Sequence, residues 1–300
     1  MKTNDAHCHF FSRNFFQALA LEKDIVGPNS IGEASRILGW APPGSSRELA
    51  DCWVQELDLH NVARAALISS VLEDEESVAE AVARYPQRFV GYFMVDPTRP
   101  SVLERAERAV VNLGLRCACL FPGMHRYELS DKRAACLVGK LSALTGTAVF
   151  IHCGVLTVGA RKKLGLPSRF DLRYSNPLDV HSLALAYPEV PFIIPHFGAG
   201  MFREALMLGS LCDNVYLDTS SSNSWVRYSG LTLEEVYGRA LEVLGPDKLL
   251  FGTDSSWFPR GWQRPVWEEQ CRVMEGLGLD EKSRQKIQCL NFDRIFPVAH

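Results

Sequence analysis

The sequence has no long apolar run, since none of its hydrophobic stretches approaches the roughly 20 residues that a membrane-spanning helix needs. It has no block of lysine and arginine, and its formal net charge of −3 argues against a general nucleic-acid binder. No Gly-x-Gly-x-x-Gly motif follows a strand-like segment, so nothing indicates a dinucleotide fold. These absences predict neither a membrane nor a nucleic-acid partner, and leave a small-molecule substrate as the expected partner.

The nine cysteines are not expected to form a disulfide framework. Their number is odd, most lie inside apolar segments, and the N-terminus runs directly into a strand-like motif rather than a secretory segment. The pair Cys117-x-Cys119 is not followed by the second cysteine pair that a zinc knuckle requires. We therefore expect reduced thiols in a cytoplasmic protein.

The chain of 300 residues is 47% hydrophobic and 22% charged, which is ordinary globular composition. Strand-like apolar runs alternate with segments of helical periodicity eight times, from the opening segment to residues 248–251. Such alternation predicts an α/β protein with a parallel sheet. Eight units in this length predict a distorted (β/α)8 TIM barrel, as a single domain over residues 1–300. A doubly wound open sheet is the alternative.

Two segments depart from the alternation. Residues 11–46 are polar and contain glycine and proline, so we expect a long loop inserted after the first strand, as a candidate lid. Residues 264–276 and 280–289 have helical patterns after the last strand, which predicts an extra C-terminal helix.

Histidines stand at the predicted strand ends, where TIM barrels carry their chemistry. His7 and His9 lie at i and i+2 of the first strand, so both imidazoles point to one face. The fifth, sixth and eighth strands end in His152, His196 and Asp254. A single such histidine is more often a hydrogen-bonded structural residue, and Asp254 alone could cap a turn. Five at equivalent positions instead indicate a metal or catalytic centre.

Taken in order, these segments resemble the amidohydrolase superfamily, in the amidohydrolase-2 branch that includes aminocarboxymuconate-semialdehyde decarboxylase. The resemblance covers nearly the whole chain and is carried by Asp5-Ala6-His7-Cys8-His9, Phe121-Pro122-Gly123, Phe150-Ile151-His152, Pro195-His196-Phe197-Gly198, residues 214–220 and Leu250-Phe251-Gly252-Thr253-Asp254. It implies that His7, His9, His152 and Asp254 bind one divalent metal ion, usually zinc. It also implies that His196 stands beside the metal-bound water or the substrate, and that the protein is a homodimer.

The fourth predicted strand lacks a lysine that binuclear members of the superfamily carry at its end, where the carbamylated side chain bridges two metals. The segment reads Arg116-Cys117-Ala118-Cys119-Leu120-Phe121. A site with a single metal ion is therefore expected. Cys119 could add a ligand, although a thiol packed in the barrel is the favoured role.

Three imidazoles and a carboxylate leave one coordination position open for water, as in catalytic zinc sites. Asp254 would accept a proton from that water, and His196 would polarise the scissile carbonyl or orient the water. We expect a hydrolase acting on a lactone, an amide or a related C–O or C–N bond. The same residues could serve a non-oxidative decarboxylase or a hydratase of an aromatic or muconate-like acid. A non-catalytic binding protein on the same barrel is the third hypothesis.

Loops on the same face supply candidate substrate contacts. His125 follows the fourth strand, and Arg173 lies in the loop after the fifth strand together with Arg161 and Arg169. Arginine pairs with carboxylate in a bidentate fork, which predicts a carboxylate-bearing substrate. Trp257 follows the eighth strand and could form an aromatic wall.

Overall fold

The computed structural model describes residues 2–220, 225–228 and 230–298. Its strands form one sheet in which all neighbouring strands pair in parallel. The strands are β1 Thr3–Phe10, β2 Val62–Ser69, β3 Phe89–Val95, β4 Cys117–Leu120, β5 Ala148–Ile151, β6 Phe192–Ile194, β7 Val215–Asp218, β8 Leu249–Leu250 and β9 Ser255–Ser256.

The sheet curls until its two ends meet. Its strand order is β8-β7-β6-β5-β4-β3-β2-β1-β9. β9 pairs with β1 through Cys8 and His9, and the Ala6 N–H donates to the Phe251 carbonyl oxygen at 2.8 Å. β8 lies within the predicted eighth strand, and β9 lies just beyond its predicted end at Asp254. Together β8 and β9 connect β7 to β1, so the eighth strand is split. The TIM-barrel prediction is confirmed, and the split strand is one of its distortions.

Helices follow the strands and cover the outside of the barrel. The α-helices are α1 Arg13–Glu22, α2 Ser30–Leu38, α3 Ser46–Leu59, α4 Glu75–Arg84, α5 Val102–Val111, α6 Pro122–His125, α7 Lys132–Ser142, α8 Gly159–Lys163, α9 His181–Ala186, α10 Phe202–Leu211, α11 Leu233–Leu244, α12 Trp257–Arg260, α13 Arg264–Gly276, α14 Glu281–Gln285 and α15 Asn291–Ile295. Short 3-10 turns lie at Leu172–Tyr174, Pro177–Val180, His196–Gly198, Trp225–Tyr228 and Pro246–Lys248, and Lys286–Leu290 is a π-helical turn. None of the helices in the described part of the chain combines the length and the apolar character that a bilayer crossing requires.

Residues 11–46 are not the loop that the sequence predicts, because they contain α1 and α2. Ser12 caps α1, since its hydroxyl accepts a hydrogen bond from the Phe15 N–H at 3.3 Å. Phe15, Phe16 and Leu19 then pack into the main apolar core. The loop prediction failed because many of the polar residues in this segment lie on the exposed faces of short amphipathic helices.

Both faces of the sheet are buried, as a parallel barrel requires. In β3, Tyr92 and Met94 belong to the apolar cluster inside the barrel, whereas Phe93 and Val95 belong to the larger cluster between the sheet and the helices. This alternation follows from the two-residue repeat of a strand. The interior is therefore a packed core, and in a barrel of this kind the ligand site lies at the strand ends.

The C-terminal segment closes the end of the barrel where the strands begin. Arg64 of β2 is 4% exposed, and its guanidinium donates to Asp293 Oδ1 at 2.6 Å and to the Phe296 carbonyl oxygen at 2.7 Å. Asn4 of β1 donates to the same Asp293 oxygen at 2.9 Å. The extra C-terminal helix is thereby attached to the first two strands.

Candidate metal centre

Three side chains meet at the carboxyl end of β1. His7 and His9 lie on β1 itself, and Asp254 lies between β8 and β9. The Nε2 atoms of His7 and His9 lie 3.4 Å and 3.1 Å from Oδ1 of Asp254. Ligand atoms about 2.1 Å from a zinc ion at tetrahedral angles stand about 3.4 Å apart, so this spacing suits one shared ion. We call these three residues the His–His–Asp triad.

Asp254 stands where the eighth strand is interrupted. Its φ of 59° lies in the left-handed region, which costs a non-glycine residue about 1–3 kcal/mol. The buried Asp5 carboxylate holds this segment, because it accepts from the Thr253 N–H at 3.2 Å and from Trp262 Nε1 at 2.7 Å. The same carboxylate accepts from the His7 N–H at 2.9 Å. Asp5 therefore connects the backbone of His7 to the segment that carries Asp254.

Asp218, at the end of β7, contacts the other ring nitrogen of His7. Its Oδ2 lies 2.5 Å from His7 Nδ1, and both side chains are buried. So short a separation is a hydrogen bond rather than the spacing of two ligands of one ion, so Asp218 orients His7 from behind. Burial alone would lower the pKa of His7, but the carboxylates of Asp218 and Asp254 raise it to about 9. Since Nδ1 keeps its proton on Asp218, Nε2 is the nitrogen that a metal would take, and the metal would displace the second proton that the raised pKa keeps there at neutral pH.

His9 is oriented in a similar way by Ser70. The Ser70 hydroxyl donates to the Ile68 carbonyl oxygen at 3.2 Å and lies 2.9 Å from Nδ1 of His9. Because the hydroxyl proton is directed to Ile68, we assign the proton of the second bond to Nδ1 of His9. This tautomer leaves the lone pair on Nε2, which faces Asp254.

Ser220 extends the hydrogen-bond network from Asp218 to His196. The Ser220 hydroxyl donates to Asp218 Oδ1 and lies 2.8 Å from Nδ1 of His196. We therefore assign Nδ1 of His196 as the donor and Nε2 as the acceptor of a neutral ring. Burial lowers the pKa of His196, which agrees with a neutral imidazole. Its ring centroid is 4.8 Å from that of His7, so the neutral ring lies next to the triad.

His152 is 2% exposed, yet neither of its ring nitrogens has a hydrogen-bond partner in the described part of the chain. A buried polar group without a partner costs about 1–3 kcal/mol, so it calls for an explanation. The ring stacks on Phe121 at 5.6 Å between centroids and faces His196 at 5.3 Å. Burial and the neighbouring imidazoles of His196 and His7 lower its pKa well below the usual range, which keeps the ring neutral.

The state of His152 fits a metal ligand, because a metal binds the neutral imidazole. The ligand atoms of the triad all lie within 4.8 Å of one another, and His152 stands outside that group, next to His196. The residues present therefore offer three ligands in place and a fourth neutral imidazole at the edge of the cluster. This donor set fits a divalent metal such as zinc.

Glycine keeps the loops behind His152 and His196 in contact. Gly154 has a φ of 72°, and a Cβ there would lie 2.1 Å from the carbonyl oxygen of Gly198. The neighbouring Val155 N–H donates to the Ala199 carbonyl oxygen at 2.8 Å. A side chain at position 154 would separate the two loops and displace both histidines.

An open cavity of about 810 Å³ adjoins the cluster. Its wall comes from α1, the segments after β2 and β3, α6 and residues 156–170. Ser70 belongs both to this wall and to the hydrogen bond on His9. Phe170 also lines the cavity, and its ring packs edge-on against His152 at 6.2 Å between centroids. The cavity therefore provides room for a small molecule beside the metal-binding side chains.

A family model described as Amidohydrolase matches residues 5–298. The chain belongs to the amidohydrolase family. This match confirms the resemblance noted in the sequence and the prediction of an amidohydrolase-type enzyme. Hydrolysis and decarboxylation are both compatible with it.

Comparison with known proteins adds a curated relative and solved structures. Protein fluG of Emericella nidulans is 36% identical over 89 residues, which are 30% of this chain and 10% of that protein. The amidohydrolase chain thus spans about 10% of the length of the curated relative that it matches.

Three solved structures share the fold. A probable 2-pyrone-4,6-dicarboxylic acid hydrolase of Acinetobacter baumannii with citric acid bound is 16% identical, with 99% of both chains covered and a TM-score of 0.65. The 5-carboxyvanillate decarboxylase of Sphingomonas paucimobilis is 16% identical over 100% of this chain and 99% of that one, with a TM-score of 0.63. A zinc-bound amidohydrolase of Burkholderia multivorans is 16% identical over 100% of both chains, with a TM-score of 0.65.

The amidohydrolase cavity contains one of the three predicted substrate contacts. His125, on α6, lines it. Arg173 does not, because its side chain is 82% exposed and pairs with Asp171 at 2.7 Å. Trp257 also lies outside the lining, and packs edge-on against Trp53 of α3 at 6.5 Å between centroids. Arg173 and Trp257 thus lie outside the cavity that they were predicted to line. The position of a loop residue after a strand does not determine the direction of its side chain.

Four residues of the hydrogen-bond network are not among the predicted site residues: Asp218, Ser220, Asp5 and Ser70. Asp218 is the last residue of β7, just as His152 and His196 follow β5 and β6. Its place at a strand end could therefore have identified it as a candidate site residue. The hydrogen bonds of Asp5 and Ser70 depend on neighbours that are distant along the chain, and only the packing shows them. Cys119 is buried inside the barrel, where burial raises the pKa of its thiol well above the usual range. It therefore stays a neutral thiol, the favoured role of the two.

Proposed function

We propose that this amidohydrolase is a metal-dependent hydrolase that opens a lactone, an amide or a related C–O or C–N bond of a small carboxylate-bearing molecule. His7, His9, His152 and Asp254 would hold one zinc ion. The observation that carries the proposal is the buried, unpaired imidazole of His152 beside the His–His–Asp triad. The zinc bound to the relative from Burkholderia multivorans supports the choice of metal. A homodimer and a cytoplasmic location stay predictions.

A divalent metal held by such ligands supplies Lewis acidity and lowers the pKa of water. Asp254 is the proton acceptor for the attacking water. Burial alone would raise its pKa, but the imidazoles of His9, His7 and His196 lower it below the usual range, so the carboxylate is ionised at neutral pH. After accepting the proton, Asp254 passes it to the leaving group.

His196 acts in this scheme as a hydrogen-bond acceptor. Its Nδ1–H is directed to Ser220, so Nε2 carries a lone pair rather than a proton. A neutral ring in this tautomer can orient a water molecule but cannot donate to a carbonyl oxygen. Of the two roles expected from the sequence, the geometry supports orientation of the water.

Non-oxidative decarboxylation is the second candidate. Apolar side chains line much of the cavity, among them Phe15, Leu19, Met94 and Leu156, and such a wall suits a ring. The decarboxylase of Sphingomonas paucimobilis shares the fold. In that reaction the carbon that loses carbon dioxide must gain a proton, and Asp254, which is ionised, would first take that proton from a water molecule and then deliver it to the carbon.

Metal analysis combined with a substrate panel tests the proposal. Protein purified without chelator is expected to contain about one zinc ion per chain, and His7→Ala and His152→Ala are expected to lose it. His181→Ala, which changes a histidine on α9 outside the cluster, is the control. Lactones, amides and aromatic acids are then assayed for acid release and for carbon dioxide.

Two results would decide against parts of the proposal. Wild-type protein without metal, together with unchanged behaviour of His7→Ala and Asp254→Asn, would reject both metal-dependent reactions. Carbon dioxide release without bond hydrolysis would replace the first candidate by the second.

A further inference from the structure

We propose that Arg161 and Arg169 form a carboxylate-binding subsite in the cavity wall, and that the Glu22 carboxylate occupies this subsite until a substrate displaces it. The inference rests on the proposed function, because it names the part of the substrate that the wall would hold. It also selects, among the arginines of the loop after β5, the ones that face the cavity.

The cavity wall is rich in positive charge. Arg99, Arg161, Lys162 and Arg169 line it, and Glu22 is the single carboxylate among the lining residues. His125 adds no charge at neutral pH, since burial lowers its pKa. Cations in a cleft with largely apolar walls attract anions more strongly than exposed cations do. The wall therefore favours a negatively charged molecule.

Arg161 and Arg169 share one carboxylate oxygen. Arg161 Nη1 donates to Oε2 of Glu22, and Arg169 Nη2 lies 3.3 Å from the same atom. The side chains of Arg161 and Glu22 are only 13% and 25% exposed. Glu22 thus makes the contacts that a carboxylate of a bound molecule would make.

The guanidinium of Arg161 retains donors for a ligand. Its Nε and Nη2 donate to the Pro167 carbonyl oxygen at 3.3 Å and 2.9 Å, and Nη1 contacts Glu22. These bonds use three of the five N–H groups, and nothing else in the described ranges contacts the other two. The Pro167 carbonyl fixes the plane of the guanidinium without neutralising its charge. Arg161 is therefore oriented in advance for a planar carboxylate.

The cavity that contains the subsite reaches the metal centre through Phe170 and Ser70, and none of the proposed metal ligands is itself among its described lining residues. Arg169 directly precedes Phe170, whose ring packs against His152. Elsewhere in the wall Ser70 contacts His9. A molecule that spans the cavity would place its carboxylate on Arg161 and its scissile bond beside the histidines. Displacement of Glu22 requires only a rotation of a side chain at the last residue of α1.

Binding of isophthalate and of its neutral counterpart isophthalamide, measured by calorimetry on the full chain, tests the subsite. Arg161→Gln is expected to weaken isophthalate binding about 10- to 100-fold and to leave isophthalamide unchanged, because only the charged ligand loses a charge-assisted pair. Glu22→Gln is expected to tighten isophthalate binding several-fold, since the internal competitor loses its charge. Arg173→Gln is the matched control, because Arg173 follows the same strand and pairs with a carboxylate but lies outside the cavity.

The subsite is overturned if Arg161→Gln and Arg173→Gln weaken isophthalate binding equally, if Glu22→Gln fails to tighten it, or if wild-type protein does not bind isophthalate at millimolar concentration. Metal content and hydrolysis are measured on the same samples, and the titrations are repeated in His7→Ala. Normal metal content with binding that does not depend on Arg161 rejects the subsite alone. Binding that depends on Arg161 in wild-type samples that contain no metal and show no hydrolysis rejects the hydrolase alone, whereas retained binding in metal-free His7→Ala is the result expected of a subsite separate from the metal.

Discussion

The two ends of the barrel treat buried polar side chains in opposite ways. Where the strands begin, Arg64 donates to Asp293 and to a backbone carbonyl, and Asn4 donates to the same Asp293 carboxylate. Where the strands end, His152 is equally buried but has neither ring nitrogen bonded among the described residues. The first arrangement pairs the charge of Arg64 within the chain, although Arg64 Nε and Asn4 Oδ1 have no hydrogen-bond partner among the described residues. The second offers both nitrogens of a neutral ring to a group from outside the chain.

The backbone conformation also differs between the two ends of the barrel. At the strand ends His196 and Asp254 have φ values of 56° and 59°, a region that few non-glycine residues adopt. Asn4 and Arg64, where β1 and β2 begin, pair with each other and have no positive φ, although the register of the two strands shifts between Thr3 and Asn4. Unpaired ligands and left-handed backbone in one place are typical of a functional site, and paired charges on extended strands are typical of a stabilising one. Mutations at the two ends should therefore separate activity from stability.

Asp254→Asn is expected to give the largest effect. It should lower kcat about 10²- to 10⁴-fold, because the amide cannot accept the proton of the attacking water. Thermal unfolding followed by circular dichroism should show a smaller loss of stability than Asp293→Ala, because asparagine keeps the size of the side chain and loses only the charge that pairs with His7 and His9. Asp171→Asn, which alters the exposed pair with Arg173, is the control and should leave kcat unchanged. A fully active Asp254→Asn enzyme would remove Asp254 from the mechanism.

Asp293→Ala tests the opposite end. Removing this carboxylate leaves Arg64 buried without its charged partner, so the free energy of unfolding should fall by about 3 kcal/mol. Zinc content per folded chain should not change. Urea unfolding measures the loss, and Asp213→Ala, at a fully exposed aspartate, should stay within about 0.5 kcal/mol of the wild type. Loss of metal binding without loss of stability would contradict the assigned division between the two ends.

The sequence predicted the strand-end residues because the barrel topology alone places them. His7, His9, His152, His196 and Asp254 follow strands whose carboxyl ends lie on one face in any parallel barrel, so the alternation of strands and helices was sufficient. The hydrogen-bond network behind them needed more, because it depends on side chains from distant strands.

Loops were predicted less well for a physical reason. The split of the eighth strand depends on the left-handed conformation at Asp254 and on the bonds that Asp5 makes to Thr253 and Trp262. The direction of Arg173 depends on Asp171, two residues away, which turns it to the solvent. Such local contacts decide where a side chain points, and residue type after a strand does not.

Asp218→Asn is expected to give the smallest effect. Like Arg64 at the opposite end of the barrel, Asp218 is buried and has a charged or polar partner, but that partner is the metal ligand His7. The variant therefore separates a role in metal binding from a role in stability. Asparagine retains a hydrogen bond to Nδ1 of His7 without the negative charge that makes the ring a better ligand. Zinc affinity, measured by competition with a chelator, should fall about 10- to 100-fold.

Ser220→Ala is the matched variant for Asp218→Asn. It removes a hydroxyl that contacts Nδ1 of His196, Oδ1 of Asp218 and, at 3.2 Å, Nδ1 of His7, and it leaves the shorter bond between Asp218 and His7 in place. The Ser220 carbonyl oxygen, 3.2 Å from Nδ1 of His196, remains as an acceptor. The variant should therefore keep the zinc affinity within a few-fold of the wild type and lower kcat instead, through the weakened orientation of His196. Should Asp218→Asn lose stability as Asp293→Ala does while zinc affinity is retained, Asp218 would be a structural residue, as Asp293 is at the opposite end of the barrel.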